Sequence, residues 1–309
     1  MAHFLLAVKT VLPLFLVIVA GLLFSRTKAA SITWIDVLNK YALWIGFPAL
    51  VIASLMKLEL NGQSYSGLIL TNSVYIVICM LLAFPIAGIL KLTPKVKRSL
   101  FLILSFGNVA YLGIPVLHNA FGDSVLPVAA IISAVYVFWL LTLGIILVEI
   151  NGKEKLNLKK LILSLLKNPL LISVFVGLFI VFFNVKLPEI AEKTIFLFSN
   201  SVTAVVLFSL GIFLGLHKTG GIKDWLTAFT LSIVTLLVLP FIFYLAIKNT
   251  GMDSLQFKAT ILDSAMPLGL TPYALSVQYN LEVTLVSRIV VLATILSVIV
   301  IPLWMVLVG

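Results

Sequence analysis

Charge is what this chain has least of. Only 10% of its 309 residues are Asp, Glu, Lys or Arg, against roughly a quarter in soluble globular proteins, so a separate aqueous domain is excluded. One cysteine, Cys79, leaves no partner for an intramolecular disulfide and no basis for a thiolate metal cluster. The three histidines, His3, His118 and His217, are scattered, and Asp263 is the one acidic residue clearly inside an apolar run. Paired intramembrane aspartates, a Ser-His pair and metal-spaced histidines are all missing, so the reading is of a chain that is not an enzyme and binds no metal or cofactor beyond a coupling ion.

Hydrocarbon takes the place of charge. The chain is 62% hydrophobic with a mean hydropathy of +1.22, and at about 20 residues per spanning helix it divides into ten apolar segments. They lie near 4–25, 36–56, 65–90, 98–121, 125–149, 159–183, 190–216, 224–247, 256–280 and 284–308. Runs such as LLVLPFIFYLAI do not alternate in polarity, which excludes outer-membrane strands and makes all ten helices. The first run has no basic segment ahead of it and Arg26 and Lys28 behind it, so it reads as a retained helix rather than a signal peptide.

The net charge of +10 sits in short clusters between apolar runs, which orients a membrane protein and does not indicate nucleic acid. Loops numbered odd hold twelve Lys and Arg, among them Lys91, Lys95, Lys97 and Arg98 in the third, and Lys153, Lys155, Lys159 and Lys160 in the fifth. Lys218 and Lys223 belong to the same set, while the even loops hold five, including Lys57. The odd loops are therefore expected in the cytoplasm, with both termini outside a multi-pass protein of the cell membrane.

Proline spacing adds a repeat. Pro13 and Pro169 are 156 residues apart, Pro85 and Pro240 155, and Pro115 and Pro272 157. These pairs fall in helices 1 and 6, 3 and 8, and 4 and 9, which implies a duplication into halves 1–152 and 153–309. Five spans per half is an odd number, so the second half is expected to be inverted relative to the first, the arrangement of many secondary transporters.

Helices 4 and 9 carry the residues that cost most in a bilayer. Helix 4 holds Gly107, Asn108, Gly113 and Pro115, and helix 9 holds Asp263, Gly269, Thr271 and Pro272. Glycine at about 1 kcal/mol and proline at about 3 kcal/mol destabilise continuous helix there, so both helices are expected to open at midplane. Pro115 and Pro272 are expected to start two half-helices whose free N–H groups face an anion.

The stretch Asn108 to Pro115, Asn-Val-Ala-Tyr-Leu-Gly-Ile-Pro, closely resembles the fourth-helix motif of the auxin efflux carrier family. Ala265-Met266-Pro267, followed by Tyr273 to Asn280, resembles that family's ninth-helix region. The resemblance implies an all-α fold shared with sodium-coupled bile-acid transporters, in which helices 4 and 9 cross at their unwound middles. Helices 1, 2, 6 and 7 would form a scaffold and helices 3–5 and 8–10 an elevator-type transport domain. Asn108 and the backbone from Gly113 to Pro115 match the family's substrate-anion site, and Gly269 to Pro272 the opposing half, with Pro272 itself a departure from the family pattern.

Each remaining polar residue has a functional and a plain reading. Asp263 is a protonatable or Na⁺-binding carboxylate, or a carboxylate near the outer interface paired with Lys258 or a neighbouring hydroxyl. Ser105, Ser264 and Thr271 are ion ligands, or bond their own backbone. Tyr111 stacks on an aromatic substrate or packs; Asn200, beside Ser201 in helix 7, faces the substrate or glues helices together. His118 is a proton relay or an interfacial histidine, Arg288 is expected to snorkel to the cytoplasmic surface or else to pair with substrate or a carboxylate, and Gly211 and Gly215 form a GxxxG for tight packing rather than a dimer face. The expected function is a secondary carrier of a small organic anion, auxin-like or a related organic acid and more readily a monocarboxylate, with a homodimer through the scaffold. The alternatives are a Na⁺-coupled symporter of the bile-acid type and a channel or non-transporting receptor.

Overall fold

The computed structural model describes residues 2–56, 64–152, 158–216 and 225–309. Lys57, Lys153, Lys155, His217, Lys218 and Lys223, which entered the reading of charge and histidine, lie outside them. Among the described residues the regular structure is helical, and the single β-type contact is an isolated antiparallel bridge between Gly107 and Leu268.

Among the described residues seven helices are long and apolar enough to cross a membrane: α1 (Ala2–Phe24), α2 (Ile32–Leu55), α3 (Ser66–Ile89), α6 (Asp123–Ile150), α9 (Glu189–Leu216), α10 (Trp225–Ile247) and α13 (Val283–Val308). Between them lie six shorter helices. These are α4 (Pro94–Ile103), α5 (Val109–Phe121), α7 (Leu158–Leu166), α8 (Pro169–Phe182), α11 (Ser254–Ser264) and α12 (Leu270–Gln278). The short helices pair up within the apolar segments near 98–121, 159–183 and 256–280, each of which is interrupted.

The interruption in the segment 159–183 corrects the expectation of one continuous helix. Asn168 ends the run there by accepting hydrogen bonds from the N–H groups of Leu170 and Leu171 at 3.0 and 3.2 Å, with Pro169 as first helical residue. Such a cap with proline behind it starts a helix afresh.

Proline acts differently at Pro48, Pro115 and Pro240. Each is the second residue after a five-residue π turn, Ala42–Gly46, Val109–Gly113 and Val234–Val238 respectively. A proline removes one backbone bond and its ring crowds the carbonyl four residues back. Widening the preceding turn lets the helix run on through it. Pro115 therefore does not start a half-helix: α5 begins at Val109. Pro272 does lie in a first turn, as the third residue of α12.

The chain forms two compact units. The first comprises Met1–Ser64, Ala110–Ala134 and Leu166–Lys218. In it α1 lies along α9, where a Cβ on Gly21 would overlap the carbonyl oxygen of Phe208, and one on Gly211 that of Ile18. Gly215 meets Ser25 on the same seam, so the GxxxG of helix 7 is spent on packing inside the chain. Polar pairs fix α2 against α9: Ser209 Oγ donates to Asn39 Oδ1 at 3.0 Å, and the Tyr41 and Ser201 hydroxyls are 2.6 Å apart.

The second unit comprises Tyr65–Val109, Val135–Leu165 and Thr219–Gly309. Its apolar core includes a stacked pair, Tyr75 and Phe243, with ring centroids 4.1 Å apart. Trp304 donates its indole N–H to the Leu236 carbonyl at 2.9 Å, joining α13 to α10. A polar clasp joins α4 to two other segments: Arg98 Nε donates to Val148 O at 2.8 Å and Ser99 Oγ accepts from the Glu282 N–H at 3.0 Å. Tyr279 reaches Glu149 at 3.3 Å. Arg288 is only 5% exposed, which corrects the expectation that it snorkels out; it is packed into the unit.

Candidate functional site

The two unwound stretches meet in the second unit. After α4 ends at Ile103 and before α5 begins at Val109, the backbone runs alongside the stretch between α11 and α12. The N–H of Asn108 donates to Pro267 O at 2.6 Å and that of Gly269 to Phe106 O at 3.5 Å, flanking the Gly107–Leu268 bridge. Each break thus satisfies part of the other's backbone, as buried backbone polar groups require. Gly107 permits the approach, because a Cβ there would lie 2.9 Å from Met266 O. Gly269 is less constrained: its added Cβ would meet Asn108 Cα at an ordinary 3.4 Å.

Asn108 is 4% exposed, and its side-chain N–H₂ group has no hydrogen-bond partner. A buried amide donor left unmet costs about 1–3 kcal/mol, and an anionic acceptor would satisfy it. Leu270 and Thr271, the first residues of α12, add helix-end N–H groups, with Gly269 as N-cap and no side chain capping the turn. Pro272 removes one donor from that turn; Thr271 itself is exposed and Pro272 buried.

Asp263 is fully buried near the end of α11, and neither carboxylate oxygen has a hydrogen-bond partner. The pairing with Lys258 is absent: that ammonium lies 3.5 Å from the carbonyl of Gly309. An isolated carboxylate in this setting is costly. A cavity of about 10 Å³, the size of roughly one water molecule, is lined by Ser105, Gly107, Tyr136, Ser264 and Met266, among others. Ser105 and Ser264 donate to the backbone oxygens of Phe101 and Ile261, both at 2.7 Å, and their own oxygens remain able to accept.

Two residues of this neighbourhood were not singled out by sequence. Asn72 on α3 donates to Thr260 Oγ1 at 3.1 Å, one turn before Asp263 on α11, while its own Oδ1 has no partner. Tyr136 is buried, its hydroxyl is likewise unmet, and it is within electrostatic range of Asp263. An Asn inside the third apolar run was the available signal for the first; nothing local marks Tyr136.

The other expected substrate residues belong to the first unit. Tyr111 stacks on Phe47 with centroids 4.9 Å apart, a packing role. Gly113 is buried in the π turn. Pro115 and Asn200 line a chamber of about 440 Å³ together with Ser54, His118, Ser199 and Thr203. His118 Nε2 lies 2.7 Å from Asp123 Oδ1. Among the described residues no group of three or more His, Cys, Asp or Glu is placed to hold a metal.

Comparison with known proteins agrees with this architecture. Residues 6–305 match the family described as membrane transport protein. An uncharacterised transporter of Methanocaldococcus jannaschii is 25% identical over 87% of this chain and 88% of its own length. The uncharacterised transporter YfdV of Escherichia coli K12 is 24% identical over 95% of each chain. Auxin efflux carrier component 3a of Oryza sativa is 26% identical over 47% of this chain and 24% of its own. A multi-pass helical protein with two interrupted helices hydrogen-bonded at their breaks, matched along nearly its whole length, belongs to the membrane transport protein family, and is a transporter rather than an enzyme.

Proposed function

We propose that the chain is a secondary carrier of small organic anions, binding one carboxylate at the crossing of the two breaks. The observation that carries this is the Asn108 amide, buried and unmet beside a backbone crossing that exposes helix-end donors. The name of the rice relative points to an auxin-like or related organic acid. In this reading the chain has ten spans in two inverted halves, 1–152 and 153–309, with both termini outside the cell membrane. Helices 3–5 and 8–10 carry the anion in an elevator-type movement, while helices 1, 2, 6 and 7 stay as scaffold and hold a homodimer together. Asp263, supported by Ser105 and Ser264, binds the coupling proton or cation.

A screen of organic acids by thermal shift, at several pH values with and without Na⁺, identifies the ligand, since a ligand stabilises the state it binds. Asn108→Ala is expected to weaken binding by about tenfold or more, as loss of a hydrogen bond to a charged group does, at an unchanged melting temperature of the ligand-free protein. Full affinity in that variant would move the anion elsewhere. Asp263→Asn is expected to remove dependence on pH or Na⁺ in vesicle uptake, and coupling that persists would return Asp263 to a structural role. The cavity of about 10 Å³ favours, as a second reading, a Na⁺-coupled carrier, for which stabilisation of the ligand-free protein by Na⁺ over K⁺ is the mark.

A further inference from the structure

We propose that Asp263 takes its coupling ion as a proton, and that Asn72 and Tyr136 hold the loaded carboxyl group between them. This rests on the reading of Asp263 as the coupling residue; it names the ion and adds two side chains to the site. All three lie in the second unit, on α11, α3 and α6, and none is more than 1% exposed. Asn72 spends both of its amide hydrogens: Nδ2 donates to the Leu68 carbonyl at 2.9 Å and to Thr260 Oγ1 at 3.1 Å. A carbonyl oxygen only accepts, so the atom on Leu68 is the nitrogen, and Oδ1 is the one left without a partner. Thr260 and Asp263 are three residues apart on one face of α11, with Cβ atoms about 5–6 Å apart, so the bond to Thr260 brings the Asn72 amide to the turn that carries Asp263. Tyr136, set edge-on to Phe106 with ring centroids 6.2 Å apart, is within electrostatic range of the same carboxylate.

The groups these side chains leave unmet balance with one proton. Asn72 Oδ1 and both oxygens of Asp263 lack a donor, and the Tyr136 hydroxyl lacks a partner, so three acceptors stand against one O–H donor. A proton on Asp263 turns one of the acceptors into a donor, and two donors then match two acceptors. The acid O–H donates to Asn72 Oδ1, and the Tyr136 O–H to the other carboxyl oxygen. The same step removes the charge from a buried carboxylate. A cation bound against Asp263 needs room, whereas the neighbouring cavity of about 10 Å³ is lined by Ser105, Thr235 and Ser264 among others, and not by Asp263 or Asn72. A proton needs none.

The elements packed against α11, namely α3, α10 and α13, bring no second carboxylate to this place. α3 carries Tyr75 and Cys79, α10 carries Tyr244, and α13 carries Arg288. On α6, Asp123 and Glu149 are each thirteen residues from Tyr136, roughly 20 Å of helix, and Glu149 accepts from Tyr279 at 3.3 Å. On α11 itself the Lys258 ammonium lies 3.5 Å from the Gly309 carbonyl. Phenol, thiol, ammonium and guanidinium groups ordinarily change charge above pH 7.5, so protonation of the cluster below that pH belongs to Asp263.

Infrared spectra of the purified full-length protein in liposomes at pH 5.5, with K⁺ or Na⁺ as the cation and no organic acid present, test the proposal. The expected result is a deuterium-sensitive carboxylic-acid C=O band that is lost in Asp263→Asn. The band moves to higher wavenumber in Asn72→Leu and in Tyr136→Phe, because each variant takes one hydrogen bond from the acid, and it stays in place when Na⁺ replaces K⁺. Tyr136→Phe removes a single oxygen and decides alone where Asn72→Leu does not fold. No such band at pH 5.5, a band that Na⁺ abolishes, or a band that keeps its position in both variants overturns the proposal. The coupling reading fails by a different measurement, vesicle uptake whose dependence on pH or Na⁺ survives in Asp263→Asn. If that dependence is lost while the spectra go against the proposal, Asp263 remains the coupling residue with another ion or other partners.

Discussion

Two interruptions of apolar helix solve the same problem in opposite ways. At Lys167–Asn168 the chain repairs itself locally: the Asn168 side chain takes up two orphan N–H groups of α8 and Pro169 supplies a residue with no N–H to satisfy. At the crossing of residues 104–108 with 265–269 the repair is partial and comes from the other break, through Asn108 N–H to Pro267 O and Gly269 N–H to Phe106 O. What is left over there, the Asn108 amide and both oxygens of Asp263, is buried and unmet. The first break closes its own hydrogen bonds, whereas the second leaves some open, as the proposed binding of a ligand there would require.

Three substitutions sharpen that contrast. Gly107→Ala places a Cβ 2.9 Å from Met266 O and has to push two backbones apart, at a cost of about 1–3 kcal/mol; a lower unfolding midpoint together with lost uptake is expected. Asn168→Ala removes only a cap, costing about 1 kcal/mol, so the unfolding midpoint falls while organic-acid affinity stays as it was. Lost affinity in that variant would break the distinction between the two interruptions. Gly269→Ala is the mildest, because its Cβ meets Asn108 at an ordinary 3.4 Å and Gly269 has φ of −80°. Unfolding within about 0.5 kcal/mol of the unaltered protein is expected.

How much of this was legible depends on whether the information is local. The two openings in helices 4 and 9 were readable because Gly107, Asn108, Gly269 and Pro272 each carry an intrinsic cost in helix, whatever surrounds them. The break at Asn168 was equally local, an N-cap followed by proline, but it sits inside a long apolar run whose hydropathy outweighs it. Pro115 was misread as a helix start because a proline's missing bond can be absorbed one turn earlier, by a π turn that leaves no mark in composition. Asn72 and Tyr136 stayed hidden for another reason: an unmet atom is defined by what neighbouring helices fail to bring. Arg288 was assigned to the surface from its position near a helix end, although three-dimensional packing encloses it. The expectation that hydroxyls bond their own helix held at Ser105 and Ser264, since that bond is set by spacing along one chain.

The π turns ahead of Pro48, Pro115 and Pro240 carry a consequence for how such helices tolerate change in length. A π turn holds one residue more than the α turn it replaces, so Ala42–Gly46, Val109–Gly113 and Val234–Val238 are stretches of slack in otherwise taut membrane helices. Shortening one of them by a residue would let the turn close to α-helix and keep both flanking faces aimed as before. The same deletion a few residues further along would rotate everything beyond it by about 100°.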